Sequence, residues 1–271
     1  MKLAFTSLGC PDWTFEKVIN EGQRMGFTGI EIRGIDGEMR AEKIPLFFPE
    51  NIEKTKQIFK EKNLTVVGFG TSVRFDDSEH YEEALDEGKQ AIDVCARMGI
   101  PAIRVFGDKI IGDKTALIER VTDGLRILCD YAKDKNVLVL LEIHGDFNTL
   151  EMVMPVIEKV KDCPQFGILW DICHSDRSYG DNWKVFYDEI KPWIRHVHIK
   201  DHKRGDRTIE LCLIGEGDIP IADIYATLKK DGYRGWYALE WEKKWHPNLP
   251  EPELAFPGYI EYMKKAESMA K

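Results

Sequence analysis

The chain reads as α/β, a (β/α)8 TIM barrel in a single domain over residues 1–271, on three observations. Strand-like and helix-like runs alternate from end to end, the strand-like runs number eight, and 271 residues that are 43% hydrophobic suit the roughly 250 that eight βα units occupy. Strict alternation implies a parallel sheet. No G-x-G-x-x-G follows the first strand, which weighs against an open dinucleotide-binding sheet, and no linker or low-complexity tract marks a second domain.

In order, the strands are KLAFTSLG (2–9), GIEIRG (29–34), TVVGFGTS (65–72), AIRVFGD (102–108), VLVLLEIHGD (137–146), FGILWDICH (166–174), IRHVHIKD (194–201) and WYALEWE (236–242). Between them lie FEKVINEGQRMG, ENIEKTKQIFKEKN, YEEALDEGKQAIDVCARMG, ALIERVTDGLRILCDYAKDKN, TLEMVMPVIEKVKD, the shorter NWKVFYDEIKP and ADIYATLKKDG. Their apolar residues recur three and four apart, as in Ile52, Thr55, Ile58 and Phe59, which is the helical period. Gly26, Asn63, Gly99, Asn136 and Gly232 supply stop signals. A Pro-rich loop and a final helix follow the eighth strand.

Composition narrows the partners. Lys and Arg total 38 against 47 Asp and Glu, a formal net charge of −9, so no field draws the chain to nucleic acid or to an anionic membrane. A small molecule is the expected partner. The six cysteines form no C-x-x-C pair and read as reduced thiols. The N-terminal apolar run is too short for a signal segment, and no stretch reaches the ~18 apolar residues of a membrane span. A cytoplasmic location is expected.

Alternation along each strand separates an outer apolar face from an inner one. The inner face receives Glu31 and Arg33, Arg104, Glu142 and His144, Asp171, His196, His198 and Lys200, and Glu240, all toward the ends of their strands. That end of a barrel is where active sites are built. Desolvating an unpaired carboxylate is costly. One such residue alone reads as a satisfied polar group, and Glu31 with Arg33 reads equally well as an ion pair plugging the barrel. Glu142, Asp171, a His of strand seven and Glu240, at matching depth on four successive strands, point instead to one shared metal ion. Arg104 suits a carboxylate or a hydroxyl-rich ligand.

The motifs LLEIH (140–144), LWDICH (169–174), HVHIKD (196–201), IGEGDIP (214–220) and ALEWEKKWHP (238–247) resemble the xylose-isomerase-like barrel family of sugar isomerases and epimerases, inosose dehydratases and apurinic endonucleases. The resemblance implies that Glu142, Asp171, His198 and Glu240 hold a divalent metal, with His198 chosen over His196 because it precedes Ile-Lys-Asp. It also implies that His174, in the D-x-x-H pair, meets substrate. The endonuclease branch needs extra His ligands from early strands, yet no His precedes His80. A trinuclear zinc site and a phosphodiesterase are therefore disfavoured.

Three carboxylates and one imidazole suit Mn²⁺ first, with Zn²⁺, Mg²⁺ or Co²⁺ compatible. A metal polarising a carbonyl makes the neighbouring C–H acidic. By the resemblance to epimerases, Glu142 and Glu240 serve as base and acid, giving epimerisation or isomerisation of a small ketose or keto-polyol. His144 and Lys200 ring the same mouth as proton carriers or charge stabilisers. A lyase outcome, dehydration of an inosose or elimination from a keto-sugar, is the alternative, and a noncatalytic sugar-binding subunit a lesser one. No Gly-rich phosphate cradle follows strand eight, so a neutral sugar or polyol is expected, although Arg74, Arg204 or Arg207 would serve a phosphate. Trp241, Trp245 and the 247–257 loop read as a wall over the mouth, a contact in a homo-oligomer, or packing under the last helix.

Overall fold

A computed structural model describes residues 1–205 and 209–270, so Arg207 lies outside the described residues. Eight parallel strands close into a barrel: β1 (Leu3–Thr6), β2 (Gly29–Ile32), β3 (Thr65–Arg74), β4 (Ala102–Phe106), β5 (Leu138–Glu142), β6 (Phe166–Asp171), β7 (Ile194–Ile199) and β10 (Tyr237–Leu239). Around the barrel, β10 sits between β7 and β1, so the last strand closes the ring against the first. Between β7 and β10 an antiparallel hairpin is inserted, β8 (Asp201–Arg204) with β9 (Ile209–Cys212). Among the described residues, no helix is long and apolar enough to cross a membrane.

The helices are α1 (Phe15–Met25), α2 (Ile52–Glu61), α3 (Tyr81–Met98), α4 (Lys114–Ala132), α5 (Leu150–Val160), α6 (Ile172–Tyr179), α7 (Trp183–Ile190), α8 (Ile221–Lys230) and α9 (Pro252–Met269). α1 starts at Thr14, whose hydroxyl accepts from Lys17 N, and stops at Gly26 with φ 94°. A residue with a β-carbon would be strained there, so the stop signal works through backbone conformation. α6 begins inside the run read as strand six, and Cys173 and His174 therefore stand on a helix. Asp171 causes the switch: its Oδ1 accepts from Cys173 N at 2.8 Å and from His174 N at 3.1 Å, capping the helix.

The main core fills the space between barrel and helices, where Val139, Leu141, Trp170, Val197, Ile199 and Leu239 face outward. Inside the barrel, the apolar floor is small. Ala4, Val67 and Ala238 form one layer, and Ala102, Leu140 and Leu169 another. Above this floor every inward position named from the sequence is polar, and the register sets their depth, with Asp171 beside His198 and His198 beside Ala238.

Candidate active site

Glu142, Asp171, His198 and Glu240 converge at the C-terminal ends of β5, β6, β7 and β10. One ligand atom from each lies within 4.8 Å of all the others, and all four residues are buried. His198 Nδ1 is 3.5 Å from Glu142 Oε1 and 3.3 Å from Glu240 Oε2. Both Glu142 oxygens, Asp171 Oδ2, His198 Nδ1 and Glu240 Oε2 are buried and make no well-aligned hydrogen bond, although the Arg104 and Lys200 cations stand against three of the carboxylate oxygens. Buried polar atoms are rarely left so. Several poorly satisfied acceptors converging on one point are what a divalent cation would satisfy, and the oxygen-rich donor set fits a hard to borderline ion.

Lys200 balances the carboxylates. Its Nζ is 2.9 Å from Asp171 Oδ2 and 2.6 Å from Glu240 Oε2, and it donates to Glu242. Burial works against the Lys200 cation, but Asp171, Glu240 and Glu242 outweigh it and hold its pKa well above the usual value. Burial pushes the Asp171 carboxyl up to about 7 despite Lys200. For Glu240 burial also opposes the charge, but Lys200 and His198 prevail and hold it well below the usual range. Burial lowers the His198 imidazolium, yet Glu31 and Glu240 raise it well above an ordinary histidine. Lys200 and His198 thus offset the carboxylate charge within the cluster.

Glu31 is not paired with Arg33, as the plug reading expected. Its Oε2 lies 2.8 Å from Nε2 of both His196 and His198, while Arg33 Nη2 donates to Ser72 Oγ at 2.9 Å. β3 carries Gly68 and Gly70 on its inner face beside β2; a β-carbon at Gly68 would only touch Glu31 Cγ at 3.7 Å, whereas one at Gly70 would collide with Arg33 Cδ at 2.8 Å. The sequence signal was V-G-F-G beside E-I-R, two glycines at strand period facing a charged strand.

His144 lines the mouth, with Nδ1 3.0 Å from Asp108 Oδ1. Burial lowers its pKa, but the Asp108 hydrogen bond and the Glu142 charge outweigh that and raise it. The His174 ring lies under it, centroids 4.1 Å apart. Burial, then Lys200 and His144, push the His174 pKa well below the usual value, so this ring is neutral. Arg104, 4% exposed, has Nε 3.0 Å from Glu142 Oε2. Arg204 is not part of the mouth: it sits on β8, where it donates to Asp176 at 2.6 and 2.9 Å and to Asp181 at 2.8 Å. Alternation along a strand could not place it, because the hairpin leaves the barrel.

Two motifs have local structural work. The carboxylate of Asp201 accepts from the backbone N–H of Gly215, Gly217 and Ile219, so I-G-E-G-D-I-P wraps around it, and a β-carbon at Gly217 would strike it. Trp241 is buried and donates to Pro250 O at 2.9 Å, while Lys243 Nζ holds Pro247 O and Leu249 O at 2.8 and 2.6 Å. These bonds pin the Pro-rich loop and leave Trp245, 53% exposed, at the cavity edge.

The cavity above the cluster has a volume of about 330 Å³ and is walled by Leu8, Arg33, Arg104, Phe106, His144 and Glu240, among others. A larger depression of about 610 Å³ between Lys191, Arg195 and Arg234 opens beside the starts of β7 and β10 and contains none of the polar cluster. The smaller cavity is the candidate site, because barrel chemistry sits at the C-terminal ends of the strands.

A family model described as the xylose isomerase-like TIM barrel matches residues 19–266. The chain belongs to that family. An inosose dehydratase of Geobacillus thermodenitrificans is 26% identical over 284 residues, which cover 93% of this chain and 87% of that protein. Among solved structures, the probable 3-DHS dehydratase AsbF of Bacillus anthracis superposes with a TM-score of 0.78 at 18% identity, covering 97% of this chain and 99% of the other. The 3-keto-D-glucoside 4-epimerase YcjR of E. coli superposes with a TM-score of 0.75 at 20% identity, covering 98% and 99%. At these identities the two structures speak for the fold. The curated relative is a dehydratase, an enzyme.

Proposed function

We propose that this xylose isomerase-like barrel is a divalent-metal-dependent isomerase or epimerase of a small ketose or keto-polyol. The observation that carries the reading is the convergence of ligand atoms from Glu142, Asp171, His198 and Glu240 beneath a cavity of about 330 Å³. These residues would hold the ion, with Mn²⁺ preferred, and when bound it would supply Lewis acidity at a carbonyl oxygen.

The chain's own groups divide the remaining work. Glu142 and Glu240 face the site from β5 and from the end of β10, so a carboxylate oxygen of one takes the proton beside the carbonyl and the other returns it. Return to the opposite face inverts the centre. Return to the neighbouring carbon interconverts aldose and ketose. Lys200, charged and buried between Asp171 and Glu240, is placed to balance negative charge that develops on substrate oxygen. The neutral His174 orients hydroxyls beside His144.

One observation favours dehydration as a second reading. His144, whose pKa is raised by the Asp108 hydrogen bond and the Glu142 charge against burial, lines the cavity and is suited to protonate a departing hydroxyl. Both readings begin with the same proton removal. Incubating the Mn²⁺-loaded protein in D₂O with tagatose, fructose, psicose, sorbose, hydroxypyruvate and an inosose should exchange deuterium beside the carbonyl of at least one of them. A product of unchanged formula identifies isomerase or epimerase, and a product lighter by one water identifies lyase. Exchange that survives in the Glu142→Gln/Glu240→Gln double variant would overturn the acid–base assignment.

A further inference from the structure

Arg33 and Arg104 share the cavity wall facing the carboxylate cluster, where Glu142 already meets Arg104 through Nε at 3.0 Å. Arg33 Nη2 donates to Ser72 Oγ, and Nη1 is buried without a partner. Arg104 has a partnerless Nη1, and its guanidinium lies 3.9 Å from the centre of the Phe106 ring. A β-carbon at Gly70 would be 2.7 Å from Arg104 Nη2 and 2.8 Å from Arg33 Cδ, so this glycine is what lets the two side chains approach. Burial first, and then the neighbouring Arg104, bring the Arg33 pKa down to about 10 against the pull of Glu87, Glu142 and Glu240. Ser72, Arg74 and both arginines line the same cavity as Glu240 and His144.

Buried donors without partners are costly, and adjacent guanidiniums repel; Glu142 offsets this on the Nε side of Arg104 but leaves the Nη1 atoms of both arginines unpaired. A neutral hydroxyl accepts a hydrogen bond but leaves the repulsion in place. A carboxylate or phosphate oxygen pair does both jobs, because the planar guanidinium fork matches its geometry. We propose that Arg33, Ser72 and Arg104 form a subsite for an anionic group, carboxylate or phosphate, carried by the keto-sugar that reacts at the Glu142–Glu240 cluster. This deepens the reading of that cluster as the active site and rests on it for the substrate's reacting end. It departs from the neutral sugar expected from the sequence, where a phosphate cradle was sought only after strand eight.

The test is calorimetric titration of the full chain, with and without Mn²⁺, using inorganic phosphate and hydroxypyruvate as anionic probes and fructose as the neutral one. At least one anion should bind, and the ratio of its affinity to that of fructose should fall roughly ten- to hundredfold in Arg33→Gln. Gly70→Ala should give the same fall while keeping both charges, because its methyl displaces the paired guanidiniums. Circular dichroism and metal content of each variant establish that the fold and the cluster are intact. A preference for phosphate or for hydroxypyruvate identifies the anion. Failure of both anions to bind wild type, binding that needs Mn²⁺ and ignores both substitutions, or a stronger affinity for fructose would overturn the subsite. Anion binding lost in both variants but with no deuterium exchange in any ketose would keep the subsite and overturn the isomerase reading instead. Exchange in neutral ketoses with no anion affinity would do the reverse.

Discussion

Nε2 of His198 lies 2.8 Å from Oε2 of Glu31, a contact that crosses the barrel from β7 to β2 and leaves Nδ1 of the same ring facing Glu142 and Glu240. With one nitrogen committed to a carboxylate, the other is the one that can give up its proton and accept a cation. Partners of this kind fix the tautomer and orientation of a metal-binding imidazole.

Replacing Glu31 by Gln should therefore weaken divalent metal binding by about 10- to 100-fold with the four cluster residues untouched. Competition against a fluorescent chelator measures this. An unchanged affinity would mean that barrel packing alone orients His198.

Purified wild type should take up one divalent ion per chain after Mn²⁺ loading, and Glu142→Ala and Glu240→Ala should each lose it. Elemental analysis gives the stoichiometry. Removing the ion with EDTA should lower the thermal midpoint, since an ion that binds only the folded chain stabilises it by mass action. A wild type that stays empty, or two variants that still bind one ion, would refute the cluster as a metal site.

His174→Ala should keep the metal and lose kcat/KM on whichever ketose is turned over, whereas Asp171→Ala should lose both. The reason is geometric: Asp171 contributes Oδ2 to the four-residue cluster, and His174 packs against His144 outside it. Metal loss in His174→Ala equal to that in Asp171→Ala would place His174 in the metal shell.

Acid should weaken the fold partly through Asp176. Burial raises this carboxyl, but hydrogen bonds from His202 and Arg204 outweigh it and hold the pKa below the usual range. A depressed carboxylate contributes stability that is present above its unfolded pKa of about 3.9 and lost as pH falls through its folded value. Asp176→Asn should thus cost about 2–3 kcal/mol at pH 7, with the gap to wild type narrowing below about pH 4. Urea unfolding across that range measures it, and a gap that stays constant with pH would assign the loss to packing.

The period-two and period-three-to-four patterns in the sequence were enough for the barrel, because each βα unit is a local pattern and its burial needs no distant partner to be recognised. Strand parity likewise put Glu142, Asp171, His198, Lys200 and Glu240 on the inner face. What it could not give were relations across the ring: Glu31 meeting His196 and His198, or Arg33 lying beside Arg104 over Gly70. Those depend on which strands end up opposite one another and on where β3 has no side chain, which closure alone decides. The hairpin β8–β9 escaped the pattern for a related reason. Asp201, His202, Lys203 and Arg204 lie beyond the barrel, where Arg204 is held by Asp176 and Asp181 and alternation no longer reports an inside. The sequence by itself determined the elements and the polarity of each face; only the tertiary structure decided which charges meet, because pairing across a closed barrel is set by strand order and register rather than by spacing along the chain.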